Sequence, residues 1–272
     1  MNELIIEAGA AERQYWMDLW RYRELFYFLA WRDLLVRYKQ TIVGIGWSII
    51  RPILTMTVLT IVFGKLGKMP SGGIPYPLLV LCGMLPWQFF SSALSDSGNS
   101  LVMNSALISK IYFPRVVIVA SSVITSFVDF IISALFLVVL MIWYHFPPSI
   151  QVLAFPLFVA LAFGASLGVG LWIAALMVQY RDFRFIVPFI VQFGLYISPV
   201  GFQSTVVPER YRLLFSLNPM VGIIDGFRWS LLDGRVHLTS FGVIFSVVET
   251  VLLIVSGVWY FRKTEQYFAD VI

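Results

Sequence analysis

Long apolar runs separated by short polar stretches set the pattern of this chain. The first runs from Ile42 to Phe63, broken only by Arg51 and Pro52, and the turn-rich GKLGKMPSGGIP follows it. Tyr76 to Leu94 is a second, Val116 to Tyr144 a third ended by His145, Pro147 and Pro148, and Ile150 to Val178 a fourth. QYRDFR at Gln179 to Arg184 closes the fourth, because two arginines and an aspartate are costly in hydrocarbon. A shorter fifth run spans Phe185 to Phe202, and a sixth, Phe241 to Phe261, stops at Arg262 and Lys263. Crossing a hydrocarbon core of ~30 Å takes about 20 residues of helix. The pattern therefore predicts an all-α integral membrane protein with six transmembrane helices, since a helix satisfies its own backbone groups in lipid.

The stretches between the runs predict surface elements. Gln14 to Lys39 interleaves Trp16, Trp20, Tyr22, Phe26, Tyr27 and Trp31 with basic residues, the mark of an amphipathic helix lying in the membrane interface. The other reading of that segment is a soluble cytoplasmic helix packed on a partner. In the polar stretch from Ser95 to Arg115, Asn99 and Ser100 read as a helix start and Pro114 as a stop. This predicts a short surface helix over Asn99 to Lys110, with Leu107 and Ile108 exposed towards a partner or the membrane. Between Gln203 and Thr239 charges alternate with apolar clusters, which predicts short re-entrant or amphipathic helices before the last span.

Composition agrees: 59% of residues are hydrophobic and 12% charged, outside the range of soluble domains. The formal charge of +4 does not point to nucleic acid, because the basic residues gather at segment ends and form no stripe. Arg13, Arg21, Arg23, Arg32, Arg37, Lys39, Lys110, Arg115, Arg181, Arg184, Arg262 and Lys263 fall on one side of the predicted topology, which makes that side cytoplasmic and puts both termini there. Residues 1–40 then form a cytoplasmic N-terminus with the interface helix, 41–262 the six-helix membrane domain and 263–272 a cytoplasmic tail. Met1 to Glu12 has no apolar core, so no signal peptide is expected. Cys82 is the single cysteine and excludes an intrachain disulfide.

Chemistry is sparse. No GxxxxGK[ST] loop is present, and GKLGKMP at Gly64 to Pro70 has the wrong spacing, so any ATP hydrolysis must come from a separate subunit. His145 and His237 lack an acid at helical spacing and the carboxylates are dispersed, which leaves no metal site and little for an enzyme. Three charges fall within spans: Arg51, Asp129 and Glu249. Such residues are functional candidates. Arg51 could meet a phosphate headgroup or line a pore, or it could pair with Asp129 or Glu249. GASLG at Gly164 to Gly168, continued by Gly170, allows close helix approach within the subunit. Phe189, Phe193 and Tyr196 recur at helical spacing, either as core packing or as a pore lining on which sugars stack.

Several segments resemble the ABC-2 permease family that exports O-antigen, capsular polysaccharide and teichoic acid. They are YRELFYFLAWRDLLVRYKQTIVGIGWSIIRP (Tyr22 to Pro52), PLLVLCGMLPWQFFSSAL (Pro77 to Leu94), NSALISKIYFPR (Asn104 to Arg115), QYRDFRFIVPFIVQFGLYISPVGF (Gln179 to Phe202), LNPMVGIIDGFRW (Leu217 to Trp229) and FADVI (Phe268 to Ile272). The resemblance implies a six-span subunit that forms a homodimer in the bacterial inner membrane, served by two ABC ATPase subunits that hold ATP and Mg. It implies a coupling helix carrying Asn99, Ser100, Asn104, Leu107, Ile108 and Lys110. It also implies an outer gate over Val206 to Asp233, including Asn218, Pro219, Asp225 and Arg228. The substrate would be a polysaccharide on a polyprenyl diphosphate or phospholipid anchor, with Arg32, Arg37, Lys39 and Arg51 near its phosphate. The FADVI ending leans towards O-antigen.

Overall fold

The computed structural model of the chain describes residues 12–39, 44–236 and 238–268. The first eleven residues, the start of the first expected span at Ile42, His237 and the last four residues of FADVI lie outside them. Among the described residues the chain is helical, with no strand. Helices α1 (Glu12–Arg21) and α2 (Arg23–Lys39) are nearly continuous, because the amides of Tyr22 and Phe26 donate to the Asp18 and Tyr22 carbonyls at 2.8 and 3.1 Å. Helix α3 (Trp47–Leu59) widens into π-type turns over Thr60–Leu66. Then come α4 (Tyr76–Met103), a single turn α5 (Ser105–Ile108), α6 (Val116–Trp143), α7 (Phe155–Gln179), α8 (Phe183–Ile197), α9 (Glu209–Phe215), α10 (Pro219–Leu231) and α11 (Ser240–Glu265).

Among the described residues, five helical stretches are long and apolar enough to cross a membrane by length and composition: Trp47–Leu66, Tyr76–Met103, Val116–Trp143, Ile150–Gln179 and Ser240–Glu265. The expected fifth span is shorter in its helix than expected. The stretch after Ile197 carries the chain on to Val200 and Phe202, whose carbonyls share Arg228 with Leu79 near the start of α4. Helix α8 itself has 15 residues, about 22 Å at 1.5 Å per residue. It stops because Pro199 disfavours helical geometry at Ser198, which is extended at φ −102° and ψ 149°. The second span is longer than expected, running past Leu94 to Met103. Its polar residues stay in the helix because they bond back to it. Ser95 donates to the Ser91 carbonyl at 2.9 Å, Asn99 to Ser95 at 2.9 Å and Ser100 to Ser97 at 2.7 Å.

Helix α4 is the axis of the fold, with 78% of its apolar window buried, against 6% for α3 with its π-type extension. It packs on α6, α7 and α10, with α3 and α8 at its flanks. The main core joins Leu78, Leu81, Leu85 and Phe89 of α4 to Phe130, Phe158, Ile223 and Phe227. A second cluster collects Leu29, Leu101, Ile108, Phe113, Val117, Leu171, Phe261 and Phe268. It gathers α2, the end of α4, the start of α6 and the ends of α7 and α11 at one end of the bundle, the side on which the sequence places the cytoplasm.

The small residues of α7 do what close approach requires. A methyl group added at Gly168 would lie 2.7 Å from the Leu253 carbonyl carbon, and one at Gly257 would lie 2.5 Å from the Gly168 oxygen. Gly164 meets Thr250 and Ile254, so it and Gly168 seat α11 directly on α7, whereas Gly170 faces Ser97 of α4. Backbone cannot yield as a side-chain tip can. Gly168→Val is therefore expected to destabilise the protein by at least ~1–3 kcal/mol, the usual cost of overpacking. Thermal unfolding in detergent should show a lowered Tm, with Leu153→Val at an exposed position unchanged.

Candidate functional site

One face of α4 is polar inside an apolar helix: Gln88, Ser91, Ser92, Ser95 and Asp96. These residues line a cavity of about 650 Å³. Ser126, Asp129 and Ser133 of α6 continue the polar wall, Trp47, Ser48, Arg51 and Pro52 of α3 form one side, and Val191 of α8 reaches its edge. Arg37, Tyr38 and Gly44 close one end. Sequence reading missed the α4 face. The signal was present, since 88, 91, 92 and 95 fall on one side of a helix of 3.6 residues per turn.

Arg37 organises the end of this cavity. Its two terminal nitrogens ion-pair with Asp96 of α4 and Asp129 of α6. Asp129 also accepts from the Tyr38 hydroxyl and, at 2.8 Å, from Ser48 of α3. Asp96 accepts from Ser126 at 2.8 Å, and Ser133 donates to the Ser48 carbonyl at 2.9 Å. Burial alone would lower the Arg37 pKa, but Asp96 and Asp129 outweigh it and hold the guanidinium above its usual value. Burial and the bond to Asp129 push Tyr38 up to about 12. Of the alternatives for Arg51, the pairing with Asp129 falls away, because Asp129 belongs to Arg37. Arg51 stands exposed with no carboxylate in ion-pair distance among the described residues. Glu249 keeps one buried carboxylate oxygen with no hydrogen bond recorded among those residues. Arg32 pairs with Asp33 at 2.7 Å and donates to Asn104 at 2.8 Å, while Lys39 is exposed.

At the other end of α4, Arg228 is 0% exposed. Its guanidinium donates to the carbonyls of Leu79 at 3.0 Å, Phe202 at 2.7 Å and Val200 at 2.7 Å. The last two lie where the chain leaves α8 without a helix to satisfy them. Hydrocarbon offers them no substitute. Gly83 is required beside it, since a methyl group there would sit 2.4 Å from a guanidinium nitrogen. Asp225 is buried one turn earlier on α10, its charge opposing the arginine's. Asn218 caps α10 by accepting from the Met220 amide at 3.0 Å and donates to Ser198 at 2.9 Å, with Pro219 at the first turn. Of the residues expected at an outer gate, Asp225 and Arg228 are buried and Asn218 and Pro219 half-buried, and Arg228 serves irregular backbone.

Comparison with known proteins decides the family. The model of the ABC-2 type transporter family matches residues 24–232, most of the chain. The chain belongs to the ABC-2 type transporter family. Among its relatives, the O-antigen export system permease protein RfbA of Klebsiella pneumoniae is 27% identical over 243 residues, covering 89% of this chain and 92% of the relative. The protein of the same name from Myxococcus xanthus is 27% identical over 92% of this chain and 96% of its own length. The polysialic acid transport protein KpsM of Escherichia coli is 22% identical over 75% of this chain and 80% of its own.

In this ABC-2 protein the expected surface helix over Asn99 to Lys110 is also corrected. Asn99 and Ser100 belong to α4, Ser100 being buried, and only the turn Ser105–Ile108 follows Asn104. Ile108 is buried in the second cluster, Leu107 packs against it, and Lys110 is exposed. Val102, Met103, Ala106, Ile111 and Tyr112 are the apolar residues that the segment exposes. The segment leads into Arg115, whose amide donates to Glu265 at 2.6 Å, and Tyr15 donates to the same carboxylate at 3.0 Å. Nothing in the sequence signalled that junction. Phe189, Phe193 and Tyr196 are not core. All three are more than half exposed, and the two phenylalanines stack at 5.6 Å.

Arg228→Met is expected to cost at least ~3 kcal/mol, because it orphans the carbonyls of Leu79, Val200 and Phe202 at about 1–3 kcal/mol each and removes the charge opposite Asp225. Adding Asp225→Asn should recover part of that loss. Chemical denaturation of the purified protein measures both.

Proposed function

We propose that the chain is the membrane-spanning permease subunit of an ATP-driven exporter that carries a lipid-linked polysaccharide across the bacterial inner membrane, with O-antigen favoured over capsular polysaccharide or teichoic acid. The observation that carries this reading is the alignment of relatives named as O-antigen export permeases along about nine-tenths of the chain. The site supports it. A polar wall of serines and Gln88 offers hydrogen bonds to sugar hydroxyls, and the bare aromatic face of α8 offers rings for their apolar faces.

Two copies of the chain would form the conduit. Helices α3 and α8 flank the cavity, and α3 exposes Leu54 and Val58, a surface that a second copy would cover. The nucleotide and Mg²⁺ sit on two separate ABC ATPase subunits. Those dock at the end of the bundle holding the second cluster, against Met103, Ala106, Lys110, Ile111 and Tyr112. That end faces the cytoplasm together with both termini, by the excess of lysine and arginine there. The interface helices α1 and α2, with Trp20, Tyr27, Phe28 and Trp31 exposed, lie in the headgroup layer beside the cavity. Arg51, Lys39 and Arg32 are the cations that an anchor phosphate would meet first.

Co-expression with its partner ABC ATPase should yield a 2:2 complex whose ATP hydrolysis rises with lipid-linked polysaccharide. A chain that purifies alone and binds no ATPase overturns the reading. Within that complex, Met103→Asp with Ile111→Asp should uncouple hydrolysis while leaving the permease folded, whereas Leu107→Asp with Ile108→Asp should lower folded yield.

A further inference from the structure

The Arg37 guanidinium serves two carboxylates at once, and the same cavity holds a second guanidinium, Arg51, with neither. We propose that Arg37, Asp96 and Asp129 form a latch that a phosphoryl anion opens, the anion drawing Arg37 away from the carboxylates and towards Arg51, which frees the end of α2 and the start of α3. This inference rests on the exporter reading and adds a means by which the substrate's own charge admits it.

Three observations support it. First, both terminal nitrogens of Arg37 are committed, one to each carboxylate. A phosphoryl group cannot gain a forked contact from this arginine unless a carboxylate gives one up. Second, the side chains of Arg37, Asp96 and Asp129 remain a quarter to a third exposed in the cavity, so water and an anion reach them. Third, α3 has little else to hold it: only Pro52 and Met56 of its 13 residues are buried. Ser48 fastens its first turn through Asp129 and Ser133. Without Arg37, two carboxylates face each other across the α4–α6 contact with one cation lost. The repulsion that follows acts at the point where α2 and α3 are tied down.

The test uses the complex with its ATPase in nanodiscs of neutral phosphatidylcholine, with Ser133→Cys as reporter. Ser133 is 5% exposed beneath the Ser48 carbonyl, and the native Cys82 is fully buried and silent. Labelling by a small methanethiosulfonate should be slow in neutral discs. It should be about tenfold faster with polyprenyl phosphate, the factor expected from losing one charge-assisted hydrogen bond, and unchanged by uncharged polyprenol. The same rise with inorganic phosphate supports the latch and makes a free anion sufficient. Asp129→Asn should label fast without any anion and respond no further, and Arg37→Lys, which keeps the charge but loses the fork, should fall between. Asp96→Asn repeats the test if Asp129→Asn does not fold. Equal rates with and without the phosphate overturn the latch. If substrate-stimulated ATP hydrolysis persists in that case, only the latch falls; if it is absent as well, the exporter reading falls with it.

Discussion

A polar group inside hydrocarbon has no solvent to fall back on, and the architecture of this protein follows from how each one finds a partner within the chain. Arg228 illustrates the constraint. A short α10 buried in the bundle and a span that continues past α8 as irregular chain are tenable because one buried guanidinium takes up the loose carbonyls of Val200 and Phe202 and a third from α4. Gly83 makes room for it and Asp225 offsets its charge. The hydroxyls of α4 meet the same demand by bonding to carbonyls on their own helix, which lets a row of serines sit deep in the fold without breaking it.

The same constraint shapes the functional cavity. Its polar wall belongs to α4, the most buried span, and its flanks belong to α3 and α8, which are among the least buried helices. A rigid axis thus carries the polar contacts while loosely held helices border them. Arg37, reaching from an interface helix to two spans, is the tie between the membrane surface and the interior. Glu265 plays the matching part at the end of α11, joining Tyr15 of α1 to the start of α6 just beyond the segment that exposes Met103 and Ile111. Displacement of that segment would therefore be felt by α1, α6 and α11 together.

Much of this was legible in the sequence. Apolar runs located the spans, and Gly164 and Gly168 signalled a close helix approach, which the fold places between α7 and α11. The failures share a cause. Ser95 to Ser100 read as leaving the membrane because hydropathy counts a hydroxyl as polar whether or not its helix has already satisfied it. Asp225 and Arg228 read as part of an outer gate because nothing local shows that carbonyls 26 and 28 residues before Arg228 need a donor. The partner of Asp129 was sought within the spans, at Arg51, because its true partner Arg37 lies 92 residues away on a helix assigned to the interface. Phe189, Phe193 and Tyr196 share a helix face by spacing alone. Only the positions of α3, α4 and α7 reveal that this face is left bare.

The account's central claim is that the polar face of α4 lines an aqueous path for the substrate. The most direct measurement is the labelling of Ser92→Cys by a membrane-impermeant thiol reagent in the assembled complex, compared with Val139→Cys on the exposed apolar face of α6. The account predicts that Ser92→Cys reacts in the presence of ATP and is protected by lipid-linked polysaccharide, while Val139→Cys stays unreactive. An unreactive Ser92→Cys in an ATP-hydrolysing complex, or one that reacts identically with and without the polysaccharide, would contradict it.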